Sequence, residues 1–120
     1  MMAASKSSKK RRNTPQPGLE IRGPRVMYIP ERLGGGLVRD YAEIESVTGK
    51  LRRYALVYIN PAISARDNGR VLGYDNAHGY PHRHYMGKIT REPALSWDEL
   101  CEKFEREWRQ IASQFLEGRL

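Results

Sequence analysis

The sequence predicts an α+β domain: an antiparallel β-sheet followed by one C-terminal amphipathic helix packed on a face. Three observations predict it. Leu51–Ile59 alternates side to side as a strand does. Asp67-Asn68-Gly69 places residues that tolerate positive φ just before the next apolar run. After Ser96, apolar residues recur at helical spacing.

Taken in order, residues 1–18 are Ser, Lys, Arg and Pro with almost nothing to bury, and are expected to form a disordered basic tail. Residues 19–120 form the globular domain. Lys9-Lys10-Arg11-Arg12 solubilises the chain, steers it toward nucleic acid or resembles a nuclear localisation signal. Leu19–Ile29 reads as extended but broken at Gly23-Pro24, and Gly36–Val47 as β-compatible with uneven alternation. Gly34-Gly35-Gly36 lacks the Lys-Ser/Thr of a phosphate loop and reads as a turn.

Leu51–Ile59 is the best strand. Leu51, Arg53, Ala55, Val57 and Ile59 share one side, Arg52, Tyr54, Leu56 and Tyr58 the other. Two largely apolar sides near its end predict a central place in the sheet. Asn60-Pro61 stops it, Arg70–Tyr74 returns, and a third strand is expected from His82 to about Ile89, completing an antiparallel meander. Ser96-Trp97-Asp98-Glu99 is a capping box. Trp97, Leu100, Cys101, Phe104, Trp108, Ile111, Phe115 and Leu116 then form an apolar stripe, and Gly118 stops the helix. Cys101 within that stripe reads as a packing residue rather than a nucleophile. The helix covers one sheet face and leaves the other available.

The net charge is +7, unevenly spread. Residues 1–19 carry +5, residues 20–95 carry +4 and residues 96–117 carry −3. A basic body suits a polyanionic ligand. A lone cysteine fits a reducing compartment. No run of ~18 apolar residues is present to span a membrane. The N-terminus lacks the apolar centre of a secretory signal, so a cytoplasmic protein is expected.

All three histidines, His78, His82 and His84, lie within seven positions, beside Asp75, Tyr74, Arg83, Tyr85 and Lys88. On a strand His82 and His84 share a side, with Met86 and Lys88 beyond them, while Arg83 and Tyr85 point away. His78 sits in the Ala77–Pro81 connection. Imidazole exchanges protons near neutral pH, which suits RNA cleavage: one group takes the 2′-OH proton and another protonates the leaving 5′ oxygen. His82 and His84 are the candidate pair, or one of them with His78, and Asp75 orients a ring. Arg83 or Lys88 would meet the phosphate, and Tyr74 or Tyr85 would stack on a base. That chemistry needs no cofactor and no metal. Two alternatives stand beside it. In one, Asp75, His78, His82 and His84 bind zinc or another divalent ion. In the other, the histidines only pack, and the sheet face and acidic helix dock a partner. A DNA-binding regulator is disfavoured, since no helix-turn-helix is visible.

Tyr74–His84, YDNAHGYPHRH, resembles the signature of TumE-type toxins of toxin–antitoxin modules. That signature has an R/G-Y-D-N element, a short insert, then H-[RK]-H and a C-terminal amphipathic helix. Here the parts are Gly73–Asn76, Ala77–Pro81, His82-Arg83-His84 and the helix from Ser96. The aromatic strand Tyr54–Tyr58 also fits, and the resemblance spans roughly residues 20–117. It implies a small cytosolic toxin neutralised by an antitoxin protein that usually carries a helix-turn-helix DNA-binding domain. The chain departs from the pattern at its basic tail, at the Pro61–Asn68 loop, and at Gly73, where Arg is common. The expected function is therefore a toxin acting as a metal-independent ribonuclease, with RNA as substrate and an antitoxin as partner. The sequence leaves the oligomeric state open, a homo-oligomer included.

Overall fold

A computed structural model describes residues 18–120. The expected basic tail lies, apart from Gly18, outside the described residues. Six strands form one antiparallel sheet in sequence order: β1 Leu19–Tyr28, β2 Leu37–Glu45, β3 Leu51–Ile59, β4 Arg70–Asp75, β5 His82–Tyr85 and β6 Lys88–Arg91. Helix α1, Trp97–Leu116, follows and packs on one face. The expected α+β fold is observed.

Strand β3 has the expected bounds and a central place. Its Tyr54, Leu56 and Tyr58 face the helix, where Leu100, Phe104, Trp108, Ile111 and Ala112 are buried against them. Tyr58 and Trp108 rings lie 5.5 Å apart, within aromatic contact range. Leu116, counted in the apolar stripe from sequence, is half exposed at the helix end.

The strand ends follow side-chain chemistry. Asn60 stops β3 and is buried; its amide nitrogen donates to Gly34 O at 2.8 Å and to Tyr58 Oη at 3.1 Å. Tyr58 Oη in turn donates to Gly35 O at 3.0 Å. The triple-glycine turn is thus a seat for Asn60 and Tyr58. A Cβ at Gly34 would lie 2.6 Å from Ala112 Cβ, so only glycine lets this turn approach the helix. Asp67 and Asn68 adopt left-handed φ of 54° and 56°, as the sequence predicts for that turn.

One strand is shorter than expected. The run from His82 to Ile89 is broken by Met86 and Gly87, with φ of 49° and 88°, into a tight hairpin between β5 and β6. Tyr85 pairs with Lys88 across it, so Lys88 shares the face of Tyr85 and not that of His82 and His84.

Helix α1 begins with the capping box in full: Glu99 N–H donates to Ser96 Oγ at 3.1 Å and Ser96 N–H to Glu99 Oε1 at 2.9 Å. It ends in a Schellman arrangement, with Gly118 at φ 70° and Arg119 N–H donating to Gln114 O at 2.8 Å. Ser96→Ala is expected to cost about 1 kcal/mol, measured as a lower denaturant midpoint with an unchanged slope.

Candidate functional site

The site is built by the pairing of β4 with β5. Asp75 lies opposite His82 and Gly73 opposite His84, so Asp75, His82 and His84 share the sheet face away from the helix. The six-residue connection is pinned by Asn76, which bridges to β3. Its Oδ1 accepts from Tyr54 N–H at 3.1 Å and its amide nitrogen donates to Arg52 O at 3.1 Å. Asp75 Oδ1 accepts from Ala77 N–H at 3.1 Å, fixing the carboxylate at the start of the turn.

Around that carboxylate the two imidazoles converge. His82 Nε2 lies 2.7 Å from Asp75 Oδ1, and His82 Nδ1 lies 3.2 Å from Tyr80 O. His84 Nε2 lies 3.2 Å from Asp75 Oδ2 but makes no hydrogen bond, and its Nδ1 is also without a partner. Both rings are buried, 3% and 6% exposed, yet among polar groups. Burial, helped by the Arg70 guanidinium and by His82, holds His84 below the ordinary histidine pKa, while Asp75 and Asp67 oppose the shift. Its neutral form therefore prevails at neutral pH. His78 is exposed and stacks on His82, ring centroids 5.7 Å apart.

The cations expected here are elsewhere. Arg83 pairs with Tyr74 across the ladder and faces the helix, where its Nε donates to Tyr74 Oη at 3.1 Å and lies 3.4 Å from Glu107. Tyr74 is fully buried and donates to Glu107 Oε1 at 2.5 Å; burial and Glu107 together raise its pKa far above the usual phenol value. Tyr85 packs against the core on the same face, under the Arg83 guanidinium. Tyr74, Arg83 and Tyr85 thus fasten β4 and β5 to α1, and with Lys88 they do not join the imidazoles.

Sequence reasoning missed Arg70 and Asp67. Arg70 Nε donates to Asp67 Oδ2 at 2.7 Å, and Arg70 Nη1 lies 3.8 Å from Asp75 Oδ2. Strict alternation from Asp75 puts Arg70 on the helix side. A β-bulge at Tyr58/Ile59 shifts the register, so Arg70 pairs with Ile59 and turns onto the open face. Gly73 makes room for it: a Cβ there would meet Arg70 Cδ at 3.1 Å. In front of Asp75 a cleft of about 370 Å³ runs over β2–β4, lined by Pro24, Arg39, Tyr41, Val57 and Arg70 among others.

Compared with known proteins, the chain matches no family model, no curated protein and no solved structure. None of these comparisons bears on the resemblance to TumE-type toxins. Among the described residues no helix is long and apolar enough to cross a membrane.

Cys101 takes no part in this face. Burial, with Asp40 and Asp98 nearby, pushes its thiol up to about 11. Alkylation by iodoacetamide at neutral pH is expected to be slow in the folded chain and to accelerate on unfolding; equal rates in both states would contradict that placement.

Proposed function

We propose that this chain is the toxin component of a toxin–antitoxin module and that it cleaves RNA at the Asp75–His82–His84 cluster. The reading is carried by the 2.7 Å pair of Asp75 with His82, set beside Arg70 at the edge of an open cleft. Asp75 orients the His82 ring and offsets charge on it. His84, whose ring nitrogens make no hydrogen bond, takes the 2′-OH proton as the 2′ oxygen attacks phosphorus. The bond from phosphorus to the 5′ oxygen breaks, and the exposed His78, stacked on His82, returns a proton to that oxygen. Arg70 offsets the charge that builds on the phosphate oxygens. Arg39 and Arg70 are the cations of a cleft that Asp40, Asp67 and Asp75 also line, and Tyr41 offers a ring to an unpaired base. In this form the chemistry needs no metal. The partner, by family resemblance, is an antitoxin with a helix-turn-helix DNA-binding domain.

The test is cleavage of single-stranded RNA by the purified chain, with and without chelator. Cleavage that survives EDTA and shows a bell-shaped pH profile supports paired imidazoles. Loss of cleavage on chelation keeps RNA as substrate and moves the proton source to a bound ion. No cleavage in either condition, with tight binding to the product of an adjacent gene, makes the chain a binding protein.

A further inference from the structure

We infer that Asp75, His82 and His84 form a binding site for one divalent transition-metal ion. Each residue offers one donor atom, and the three atoms lie within 4.8 Å of one another. The carboxylate–imidazole separations are 2.7 Å and 3.2 Å. Ligand atoms sharing an ion at bond lengths of ~2.0–2.2 Å lie about 3.0–3.5 Å apart. The two carboxylate–imidazole separations are near that spacing.

The hydrogen bonds that are missing carry the inference. Both nitrogens of His84 are buried and unpartnered, although one lies 3.2 Å from a carboxylate oxygen. Such groups in a folded interior ordinarily have partners. At His82, Nδ1 lies 3.2 Å from Tyr80 O and Nε2 lies 2.7 Å from Asp75 Oδ1, a contact that an N–H or a shared cation can hold. A proton on Nε2 settles His82 but leaves His84 without a partner. One ion takes a nitrogen from each ring and an oxygen from Asp75 together, leaving His84 Nδ1 3.8 Å from Asp67 Oδ2.

The surroundings match a ligating pair. A metal-binding histidine commonly gives its second ring nitrogen to a carbonyl or carboxylate. Tyr80 O takes that position at His82, and Asp67 Oδ2 lies 3.8 Å from His84 Nδ1. Two imidazoles and one carboxylate suit zinc, manganese, iron, cobalt or nickel. Magnesium and calcium prefer all-oxygen sets. His78, stacked on the outside of His82, is not in the donor set. Asp75, but neither histidine, also borders the cleft. The inference does not depend on RNA cleavage. With an ion held, His82 and His84 become ligands, and cleavage at this cluster would draw its proton transfer from ion-bound water.

Metal-stripped, tag-free full-length chain should be titrated with Co²⁺, followed by visible absorption, and then with Zn²⁺ in competition. One ion per chain is expected. His84→Ala and Asp75→Asn should each weaken binding by more than ~100-fold, beyond the range for outer-shell partners. His78→Ala should leave ion binding intact. Arg70→Met, which removes a positive charge 3.8 Å from Asp75, should tighten it. If either ligand variant fails to fold, X-ray absorption of the zinc-loaded wild-type chain replaces it, and two imidazoles in the first coordination sphere are expected. No saturable binding overturns the inference, as does binding that persists in both ligand variants, or a zinc spectrum with sulfur or with fewer than two imidazoles. A chain that binds the ion but leaves RNA intact sinks the ribonuclease reading and not this one.

Discussion

His84→Asn is expected to lower RNA cleavage by roughly 10²–10⁴-fold and to abolish growth inhibition when the chain is expressed without its antitoxin. His84 is the buried imidazole whose ring nitrogens make no hydrogen bond, whereas those of His82 are held by Asp75 Oδ1 and Tyr80 O. Asparagine keeps a polar group at that position but cannot carry a proton through a reaction near neutral pH. Circular dichroism and retained antitoxin binding would show that the fold survives. His82→Ala removes a ring held by Asp75 and by Tyr80 O, so the same two controls apply to it. Full toxicity in both variants would defeat the assignment of chemistry to this cluster.

Arg70→Ala is expected to reduce cleavage by roughly 10²–10³-fold, the loss typical of one group that stabilises developing charge. Arg83→Ala is expected to leave cleavage near wild type and to reduce stability by about 1–2 kcal/mol. The two arginines differ in the face they occupy. Arg70 lies over Gly73 beside Asp75, while Arg83 is bonded to Tyr74 and paired with Glu107 on the helix side. Steady-state cleavage and urea unfolding of both variants separate the roles. A cleavage defect in Arg83→Ala as large as that in Arg70→Ala would contradict the division.

The helix was legible because its signals are local. The capping box, the 3.6-residue spacing and Gly118 all act within a few residues of one another. Strand β3 was legible because its two apolar sides fit only a central strand. The left-handed turn at Asp67 and Asn68 could be read from residue types that tolerate positive φ. Convergence of Asp75 on His82 was expected on condition that the strands pair through the loop, and the Asp75–His82 register meets that condition.

The rest depended on features that leave no local mark. Met86 adopts φ of 49° although nothing in its side chain favours it, so the β5–β6 hairpin was read as one strand and Lys88 was placed on the wrong face. The bulge that re-aims Arg70 is a property of two paired strands, invisible in either alone. Asp67 was read only as a turn residue, and its bond to Arg70 follows from that same bulge. The pairing of β1 with β2 likewise depended on a partner strand that composition does not name.

Among the described residues each strand hydrogen-bonds only to strands adjacent in the chain, and the element that shields their common greasy side comes last. Such a molecule can zip up progressively from its amino end as it leaves the ribosome, without waiting for distant segments to meet. Until the final twenty-residue rod docks, however, the inner surface of Tyr54, Leu56 and Tyr58 has nothing over it. A nascent or truncated product ending before Trp97 would therefore present the proton-carrying residues on an aggregation-prone slab, and would depend on chaperones for solubility.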